Sequence, residues 1–491
     1  RRQRQMCIRD SPKTGQSLDE VRDLLLEEVA KLREGDFDEK LIEATINNYK
    51  MQLMRSFEEN DSRAILYVYS FISGADWADE VARIDRMSKI TKQDVVDWAN
   101  KYLGPESYAI IYKREGKDPD EQKIAAPKIT PIVTNRDSQS EFLSEIQTSQ
   151  VQPIEPVFVD YKKDMSQFEA QPGIDVLYKK NETNDIFTLI YVFNTGTEND
   201  PALNLAFNYL SYLGTDKMTA EEIASEMYDI ACSFYMNAGA NQSSIQITGL
   251  SENMGKAMEI VEGLIAGAKP DEAILENLKG DMLKSRADAK LNQSRCFGAL
   301  QRYLFYGGDF IRRTTLTDPA LQALTSEQLL AKIGGLMGKQ HEVLYYGPQS
   351  EKEVTEALAM HHKTSAELQP LDKKHLQLLP TDESKVLMAQ YDAKQLYYLQ
   401  YANLGKQFDV AADPEITLYN EYFGGGMNTI VFQEMREARG LAYTAWATLA
   451  TPSNANGDYS YYAFIATQND KMQMAIEAFD EIINNMPESE A

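Results

Sequence analysis

The sequence predicts the α+β fold class, with repeated α/β units in which a mostly antiparallel sheet has helices packed on one side. Three observations predict this class. Two stretches that lie 234 residues apart match each other, and two further stretches that lie 208 residues apart also match. In each match, apolar residues at helical spacing are followed by apolar residues that alternate as in a strand. Repetition on this scale indicates one complete unit and two partial units.

The first match links the ends of two units. Thr91 and Thr325 each precede an amphipathic helical pattern, and Tyr112 and Tyr346 each close an apolar strand pattern. Threonine is a favoured N-cap residue, so we expect a helix to begin after each threonine. The sequence therefore predicts a helix followed by a final strand in both places.

The second match links the interiors of two units. Met227 and Tyr235 correspond to Met435 and Tyr443, within the stretches AEEIASEMYDIACSFY and NTIVFQEMREARGLAY. In both copies a strand, a turn and a helix come before the match, and two strands and a helix follow it. The predicted order in a unit is strand, helix, helix, two strands, helices and a final strand.

These matches divide the chain into segments. The predicted segments are 1–12, a non-native leader; 13–115, the C-terminal part of a second unit; 116–159, a linker between halves; 160–350, a complete third unit; 351–384, a connector; and 385–491, the first half of a fourth unit. The leader has four arginines in its first ten residues and no apolar core, so it is not a signal peptide. We interpret both ends as cuts, and we predict no cellular compartment.

Composition narrows the class of function. Hydrophobic residues make up 43% and charged residues 25% of the chain, which is typical of a globular protein. The net charge of −25 argues against nucleic-acid binding, and the apolar runs are shorter than a membrane span. The sequence has neither HExxH nor HxxEH, and Cys7, Cys232 and Cys296 are far apart. We interpret the pair His361–His362 as solvated surface.

One stretch is a candidate for chemistry, GGGMNTIVFQEMREARGLAYTAWATL. Asn428 or Thr429 can cap a helix whose core stripe is Val431, Met435 and Ala438 at helical spacing. Gly440 suits the left-handed residue that ends a helix, and a strand pattern follows from Leu441 to Leu449.

Arg436 and Tyr443 can converge at the corner between this helix and this strand. An ordinary structural role is the alternative, because arginine near a helix C-terminus complements the helix dipole and tyrosine is common in strands. Residue types alone favour that alternative.

The stretch FGGGMNTIVFQEMREARGLAYTAWA resembles the signature region in the C-terminal domains of the insulinase/pitrilysin family of zinc metallopeptidases. The resemblance covers nearly the whole chain, because tandem members have four homologous units of a little over 200 residues. It implies that Zn²⁺ is bound outside this chain, on an HxxEH helix of the first unit. It also implies that Arg436 and Tyr443 bind substrate and act as catalytic residues, stabilising the oxyanion across a closed chamber.

The third unit departs from the family pattern where the zinc helix would lie. Leu205, Asn208 and Tyr209 occupy the positions of the HxxEH residues, and none suits zinc in that arrangement. The sequence therefore predicts no metal ligand in this chain and no peptidase activity of the chain alone. The implied partners are peptide substrates and a missing N-terminal catalytic half, on the same chain or on a separate subunit.

Two hypotheses follow from the resemblance. The first is the zinc-free, substrate-binding half of a zinc metalloendopeptidase. The second is a non-catalytic binding or structural subunit of the same fold, paired with a separate zinc-bearing chain. An edge strand that binds an extended substrate by β-addition is a further expectation, with no strand singled out.

Overall fold

A computed structural model describes residues 12, 15–105, 108–114, 116, 139–371 and 377–486. The chain forms two compact units, Arg1–Ser166 and Gln167–Ala491, and each is described here by itself. Residues 1–11 of the predicted leader, residues 117–138 of the predicted linker and His375 lie outside the described residues.

The first unit is helical in its described part. Its helices are α1 (Leu18–Glu34), α2 (Lys40–Ser56), α3 (Asn60–Ser73), α4 (Trp77–Val81), α5 (Arg83–Met87), α6 (Lys92–Tyr102) and α7 (Glu141–Thr148). The hydroxyl of Thr91 accepts from the backbone N–H of Asp94, and the Asp94 carboxylate accepts from the N–H of Thr91. This reciprocal cap confirms the predicted start of α6.

The strand predicted to end at Tyr112 is wrong. Residues 108–114 have no strand structure, and the Tyr112 hydroxyl instead lies 3.3 Å from the Asp19 carboxylate on α1. A strand needs a neighbour for its backbone hydrogen bonds, and the described residues of this unit provide no other strand. Helix α7 is a second difference, since it lies in the predicted linker.

The second unit begins with a six-stranded sheet. Its strands are β1 (Ser166–Gln171), β2 (Ile174–Lys180), β3 (Ile186–Phe193), β4 (Cys232–Ala238), β5 (Ser243–Leu250) and β6 (His341–Gly347), in the order β1-β2-β6-β3-β5-β4. Strand β6 is parallel to β2 and antiparallel to β3, and β5 is antiparallel to both β3 and β4. Alternate residues of β2 and β6 are buried, as expected of a sheet covered on one face. The predicted final strand ending near Tyr346 is confirmed.

Helices α8 to α15 belong to the same part of the unit. They are α8 (Leu203–Leu210), α9 (Ala220–Asp229), α10 (Met254–Gly267), α11 (Glu272–Lys290), α12 (Gln293–Thr314), α13 (Asp318–Ala323), α14 (Ser326–Leu336) and α15 (Glu351–His361). Thr325 caps α14 with the same reciprocal bonds as Thr91 in α6. Val354 and Leu358 of α15 are buried in the core with β2, β3 and β6, although the sequence predicted a polar connector there.

A second sheet of three strands completes the unit. Its elements are β7 (Gln395–Gln407), α16 (Asp413–Phe423), α17 (Ile430–Phe432), a π-helical turn (Gln433–Ala438), β8 (Ala442–Ala450), β9 (Asp458–Gln468) and α18 (Met472–Asn484). The sheet order is β7-β9-β8, and both pairs are antiparallel. The predicted α+β class is confirmed, and this part of the chain has the predicted order of strands and helices.

Both faces of the second sheet are covered by helices. The sequence predicted helices on one side only. Ala463 and Ile465 of β9 are buried in a core with residues of α17 and α18. The alternate residue Phe464 points to the other face, where its ring lies 5.9 Å from that of Phe297 on α12. The Phe305 ring of α12 lies 4.6 Å from that of Tyr401. A helix that precedes β6 in the chain therefore packs against the second sheet.

Helix α12 bends at Gly307, and sequence periodicity alone does not reveal this bend. Gly307 has φ 76° within this helix, a left-handed conformation that glycine adopts at low cost.

None of the helices in the described part of the chain is long and apolar enough to cross a membrane.

Candidate functional site

Arg436 and Tyr443 lie side by side at the surface of the second unit. The guanidinium carbon of Arg436 is 4.6 Å from the centre of the Tyr443 ring and 4.8 Å from the centre of the Phe432 ring. Tyr443 is 74% exposed, and the Arg436 side chain is 34% exposed. The two predicted site residues are therefore together, with the cation held between two aromatic rings.

A π-helical turn sets the position of Arg436. The backbone N–H of Arg439 donates to the carbonyl of Glu434, and the N–H of Leu441 donates to the carbonyl of Met435. This wide winding changes the face on which each residue lies. Val431 and Met435 are buried as predicted, but Ala438 is exposed, so the predicted core stripe is wrong at its last position.

Residues at the two ends of this turn fix its direction. Gly440 has φ 57°, which confirms the predicted left-handed glycine at the end of the helical segment. Thr429 stands at the N-cap position of α17, yet its hydroxyl donates to the carbonyl of Gly426 and makes no cap bond. The hydrogen bond of Thr429 and the left-handed Gly440 therefore set the direction of the turn and of the following strand β8.

Arg439 has a different environment from Arg436. Its Nη1 lies 2.8 Å from the Glu481 carboxylate of α18, and its Nε lies 3.4 Å from Glu434. The hydrogen bond that Arg439 donates to Glu481 raises the pKa of Arg439 above its ordinary value. Arg436 contacts only the carboxylate of the neighbouring Glu437, at 3.5 Å, among the ion pairs of the described residues. Arg439 therefore anchors the turn to α18, while Arg436 lies against the Phe432 and Tyr443 rings.

The glycine run before the turn joins α16 to β8. The N–H of Ala447 donates to the carbonyl of Gly424, and the Asn420 side chain bonds both backbone groups of Leu449. A Cβ on Gly424 would overlap the carbonyl oxygen of Ala447, whereas a Cβ on Gly426 would have no atom within 4 Å. The first glycine is needed for close approach of the helix end to the strand.

We expect Gly424→Ala to lower the free energy of unfolding of the second unit by about 1–3 kcal/mol, the range for overpacking. Gly426→Ala is the matched control, with an expected change within about 0.5 kcal/mol. Urea unfolding followed by Trp446 fluorescence, in a background with Trp77 and Trp98 replaced by phenylalanine, measures both. Equal losses in the two variants would contradict the close-approach argument.

The positions of the absent zinc motif are part of the core. Leu205 and Tyr209 of α8 are buried, and the Tyr209 hydroxyl lies 2.7 Å from the Ser326 hydroxyl and accepts from the N–H of Asp271. Asn208 lies on the exposed side of the same helix. These side chains do not fit a zinc ion, because they offer no group of charged or imidazole ligands.

A buried network of two histidines and a glutamate is the main polar cluster that sequence reasoning missed. His362 Nδ1 lies 2.6 Å from Glu262 Oε1, His362 Nε2 lies 2.8 Å from His341 Nε2, and His341 Nδ1 lies 2.8 Å from the carbonyl of Lys339. All three side chains are buried.

The interpretation of His361–His362 as solvated surface is therefore wrong for His362. The residue follows the amphipathic helix α15 and turns inward at its C-cap. In the described part of the chain, this network is not a metal site, because no group of three or more His, Cys, Asp or Glu side chains there could hold an ion.

The environment of His341 lowers its pKa. Burial is the main cause, and the neighbouring His362 acts in the same direction, so the pKa of His341 falls to about 4. His341 is therefore neutral at pH 7 and donates from Nδ1 to the carbonyl of Lys339. This network links β6, α10 and the end of α15, and it is distant in sequence from Arg436.

Comparison with known proteins gives one family match. Residues 340–490 match the sequence model of a family described as "Peptidase M16 inactive domain". The matched range includes β6, α15 and the whole second sheet with Arg436 and Tyr443.

A curated relative is an uncharacterized zinc protease of Streptomyces coelicolor. It is 24% identical over 260 residues, which are 50% of this chain and 56% of the relative. The chain thus spans about half the length of the curated relative that it matches.

Several solved structures share the fold. A peptidase M16 inactive domain from Pseudomonas fluorescens has a TM-score of 0.54 at 19% identity, covering 66% of this chain and 80% of that one. The periplasmic protease PqqL of Escherichia coli has a TM-score of 0.55 at 13% identity, covering 96% of this chain and 55% of that one. The ferredoxin protease FusC, crystallised with Arabidopsis ferredoxin, has a TM-score of 0.51 at 11% identity, covering 97% of this chain and 53% of that one. At these identities the likeness shows the fold alone.

Proposed function

We propose that this chain is the zinc-free, substrate-binding half of a zinc metalloendopeptidase. Residues 340–490 match the peptidase M16 inactive-domain family, and the chain is consistent with the C-terminal half of an insulinase-family protein. The intact enzyme takes peptides into a closed chamber. Arg436 and Tyr443 act on a peptide bond whose attack is promoted by zinc on the other half.

The observation that supports this proposal is the exposed pair of Arg436 and Tyr443. Arg436 is held between the Phe432 and Tyr443 rings, away from the carboxylates that bind Arg439. A guanidinium and a phenol O–H are both donors suited to a carbonyl oxygen that gains negative charge in the transition state. Ring stacking fixes the guanidinium in advance, which reduces the cost of orienting it.

The chain's own residues supply binding and orientation only. Zinc, when bound by the other half, activates the attacking water. Arg436 and Tyr443 hold the substrate carbonyl and donate to its oxygen. No metal takes part in this chain's role, because the side chains at Leu205, Asn208 and Tyr209 do not fit one.

We expect this chain alone to bind no stoichiometric zinc and to cleave no peptide, since its residues offer no zinc site of this motif. The measurement is zinc content by mass spectrometry together with hydrolysis of a quenched fluorescent peptide, with and without chelator. The intact protein, containing both halves, serves as the positive control and should lose activity with chelator. Chelator-insensitive turnover by this chain alone would overturn the proposal. Binding to a separate zinc-bearing subunit without any effect on turnover would favour the structural hypothesis.

A further inference from the structure

A cavity of about 380 Å³ lies between α10, α14 and the segment that follows α15. Its volume is at the lower end of the range for small-molecule sites, about 300–1,000 Å³. Helix α10 contributes Glu262 and Ile265 to its wall, α14 contributes Leu330 and Gly334, and the segment contributes residues 363–365. The proposed function makes no use of this cavity.

The helical walls leave this space open because they carry small residues there. Ala266 of α10 and Gly334 of α14 both line the cavity. A Cβ added to Gly334 would have no atom within 4 Å, so no neighbouring side chain fills the space in front of this glycine. The walls therefore leave room for a ligand.

One wall of the cavity carries a buried carboxylate. Glu262 is 4% exposed, yet it lines the cavity. Its Oε1 lies 2.6 Å from His362 Nδ1, whereas Oε2 accepts only from the Lys363 backbone N–H, at 3.3 Å, among the hydrogen bonds of the described residues. A carboxylate can accept about four hydrogen bonds, so Oε2 retains acceptor capacity. An ammonium group of a ligand would give this oxygen a charge-assisted hydrogen bond.

The segment after α15 supplies the opposite charge and two hydroxyls. Lys363 is exposed, and its Nζ donates to the carbonyl of Met360 at 2.5 Å, which uses one of its three N–H donors. The Thr364 hydroxyl accepts from the side-chain amide of Gln171 at 2.6 Å, and this bond does not use the hydroxyl proton. Ser365 is also exposed. These donors lie on the solvent side of the cavity and suit a carboxylate.

Apolar side chains complete the wall. Ile265 of α10 and Leu330 of α14 are half-buried, and Met337, which follows α14, is 6% exposed. An aliphatic group placed against these side chains would leave water, which is favourable. The cavity therefore combines a buried acceptor, exposed donors with one positive charge, and an apolar wall.

We propose that this cavity binds a free apolar α-amino acid such as leucine. The buried carboxylate of Glu262 accepts from the ligand's ammonium group, the donors of residues 363–365 bind its carboxylate, and the apolar wall contacts its side chain. An amine without a carboxylate would gain nothing from Lys363, and a carboxylate without an ammonium group would meet the Glu262 carboxylate at the buried end. The proposal does not depend on the proposed function.

The test is isothermal titration calorimetry of this chain with L-leucine. We expect one site with a Kd of about 1 mM or tighter, since the ligand has few atoms. Isoamylamine lacks the carboxylate and isocaproate lacks the ammonium group, so each should bind at least about tenfold more weakly than leucine. Absence of saturable leucine binding would overturn the proposal. Isoamylamine binding as tight as that of leucine would also overturn it, because the carboxylate would not be recognised.

Two glycine variants test whether leucine binds in this cavity. Gly334 lines the cavity and Gly335 does not, and a Cβ at either position would have no atom within 4 Å. Gly334→Leu should fill the space and weaken leucine binding at least about tenfold. Gly335→Leu is the matched control and should leave the Kd unchanged. The same Kd in the two variants would overturn the proposal, since the filled cavity would then not be the site.

Glu262→Gln tests the charge at the buried end. The amide keeps a hydrogen-bonding group for His362 and an oxygen acceptor, but it removes the negative charge. Leucine binding should weaken about tenfold, because charge-assisted hydrogen bonds are stronger than neutral ones. Circular dichroism shows whether this variant and the glycine variants are folded. An unchanged Kd in the folded glutamine variant would show that Glu262 does not hold the ammonium group, against the proposal.

Discussion

Tyr443→Phe is expected to lower kcat of the intact zinc-bearing enzyme about 10²–10³-fold, the usual cost of removing one oxyanion donor. KM should change little, because the phenol O–H is worth most when negative charge develops in the transition state. Tyr443 is 74% exposed, so loss of the hydroxyl does not disturb packing, and the ring that stacks on Arg436 is retained. Steady-state hydrolysis of a fluorescent peptide measures both constants.

The chain offers a matched control for this experiment. Tyr235 is the counterpart of Tyr443 in the third unit, lies on the edge strand β4 and is 64% exposed. Tyr235→Phe should leave kcat and KM unchanged. Equal effects of the two substitutions, or a rise in KM alone for Tyr443→Phe, would show that Tyr443 is not a transition-state donor.

Glu262→Ala is expected to destabilise the second unit by about 1–3 kcal/mol, the cost of leaving a buried polar group without its hydrogen-bond partner. The substitution leaves His362 Nδ1 buried without the carboxylate that lies 2.6 Å away, and it removes the acceptor of the Lys363 N–H. Both lost hydrogen bonds lie where α10 and the end of α15 pack against β6.

Glu262→Gln distinguishes hydrogen bonding from charge. Three hydrogen bonds join Glu262, His362, His341 and the Lys339 carbonyl, and they require three protons. His341 Nδ1 donates to the Lys339 carbonyl, so one further proton lies between the two imidazoles and one is shared between Glu262 and His362. A glutamine N–H can take the place of this shared proton, so we expect a loss of only about 1 kcal/mol or less.

His341 should make stability depend on pH below about 6.5, the ordinary pKa of histidine. The pKa of His341 is about 4 in the folded chain, so between pH 6.5 and 4 the unfolded chain binds more protons and stability falls as pH falls. The loss from this group reaches about 3 kcal/mol at pH 4.

Urea unfolding from pH 4 to 9 at constant ionic strength, followed by Trp446 fluorescence without Trp77 and Trp98, checks this dependence. Glu262→Gln should retain the acid decline, since His341 is unchanged. The charged and titratable groups next to the network are Lys363, Lys339 and Tyr191, whose ring centre lies 4.1 Å from that of His362. Burial and the Glu262 carboxylate raise the pKa of Tyr191 well above its ordinary value, so its titration does not contribute. Stability that stays constant between pH 6.5 and 4 would contradict the lowered pKa of His341.

The sequence by itself predicted the repeat, the fold class and the end of the helical segment at Gly440. The threonine caps of α6 and α14, the strands β3 to β6 and the order of elements around Tyr443 follow from local signals, because caps, periodicity and left-handed glycines act within a few residues. The placement of Arg436 near Tyr443 was predictable for the same reason.

The tertiary structure decided features that depend on distant neighbours. Residues up to Tyr112 form no strand, although they match those of β6, because a strand requires a partner to receive its hydrogen bonds. Ala438 left the core stripe because the chain winds as a π-turn against β8, which helical spacing cannot reveal.

The burial of His362 and the separate roles of Arg436 and Arg439 also come from tertiary contacts. Glu262 is 100 residues before His362, and Glu481 is 42 residues after Arg439, so no local pattern joins them. A polar side chain such as His362 can be buried only when other groups satisfy its hydrogen bonds. Local sequence therefore predicts most helix starts and strands, while only packing decides which strands form and which polar groups are buried.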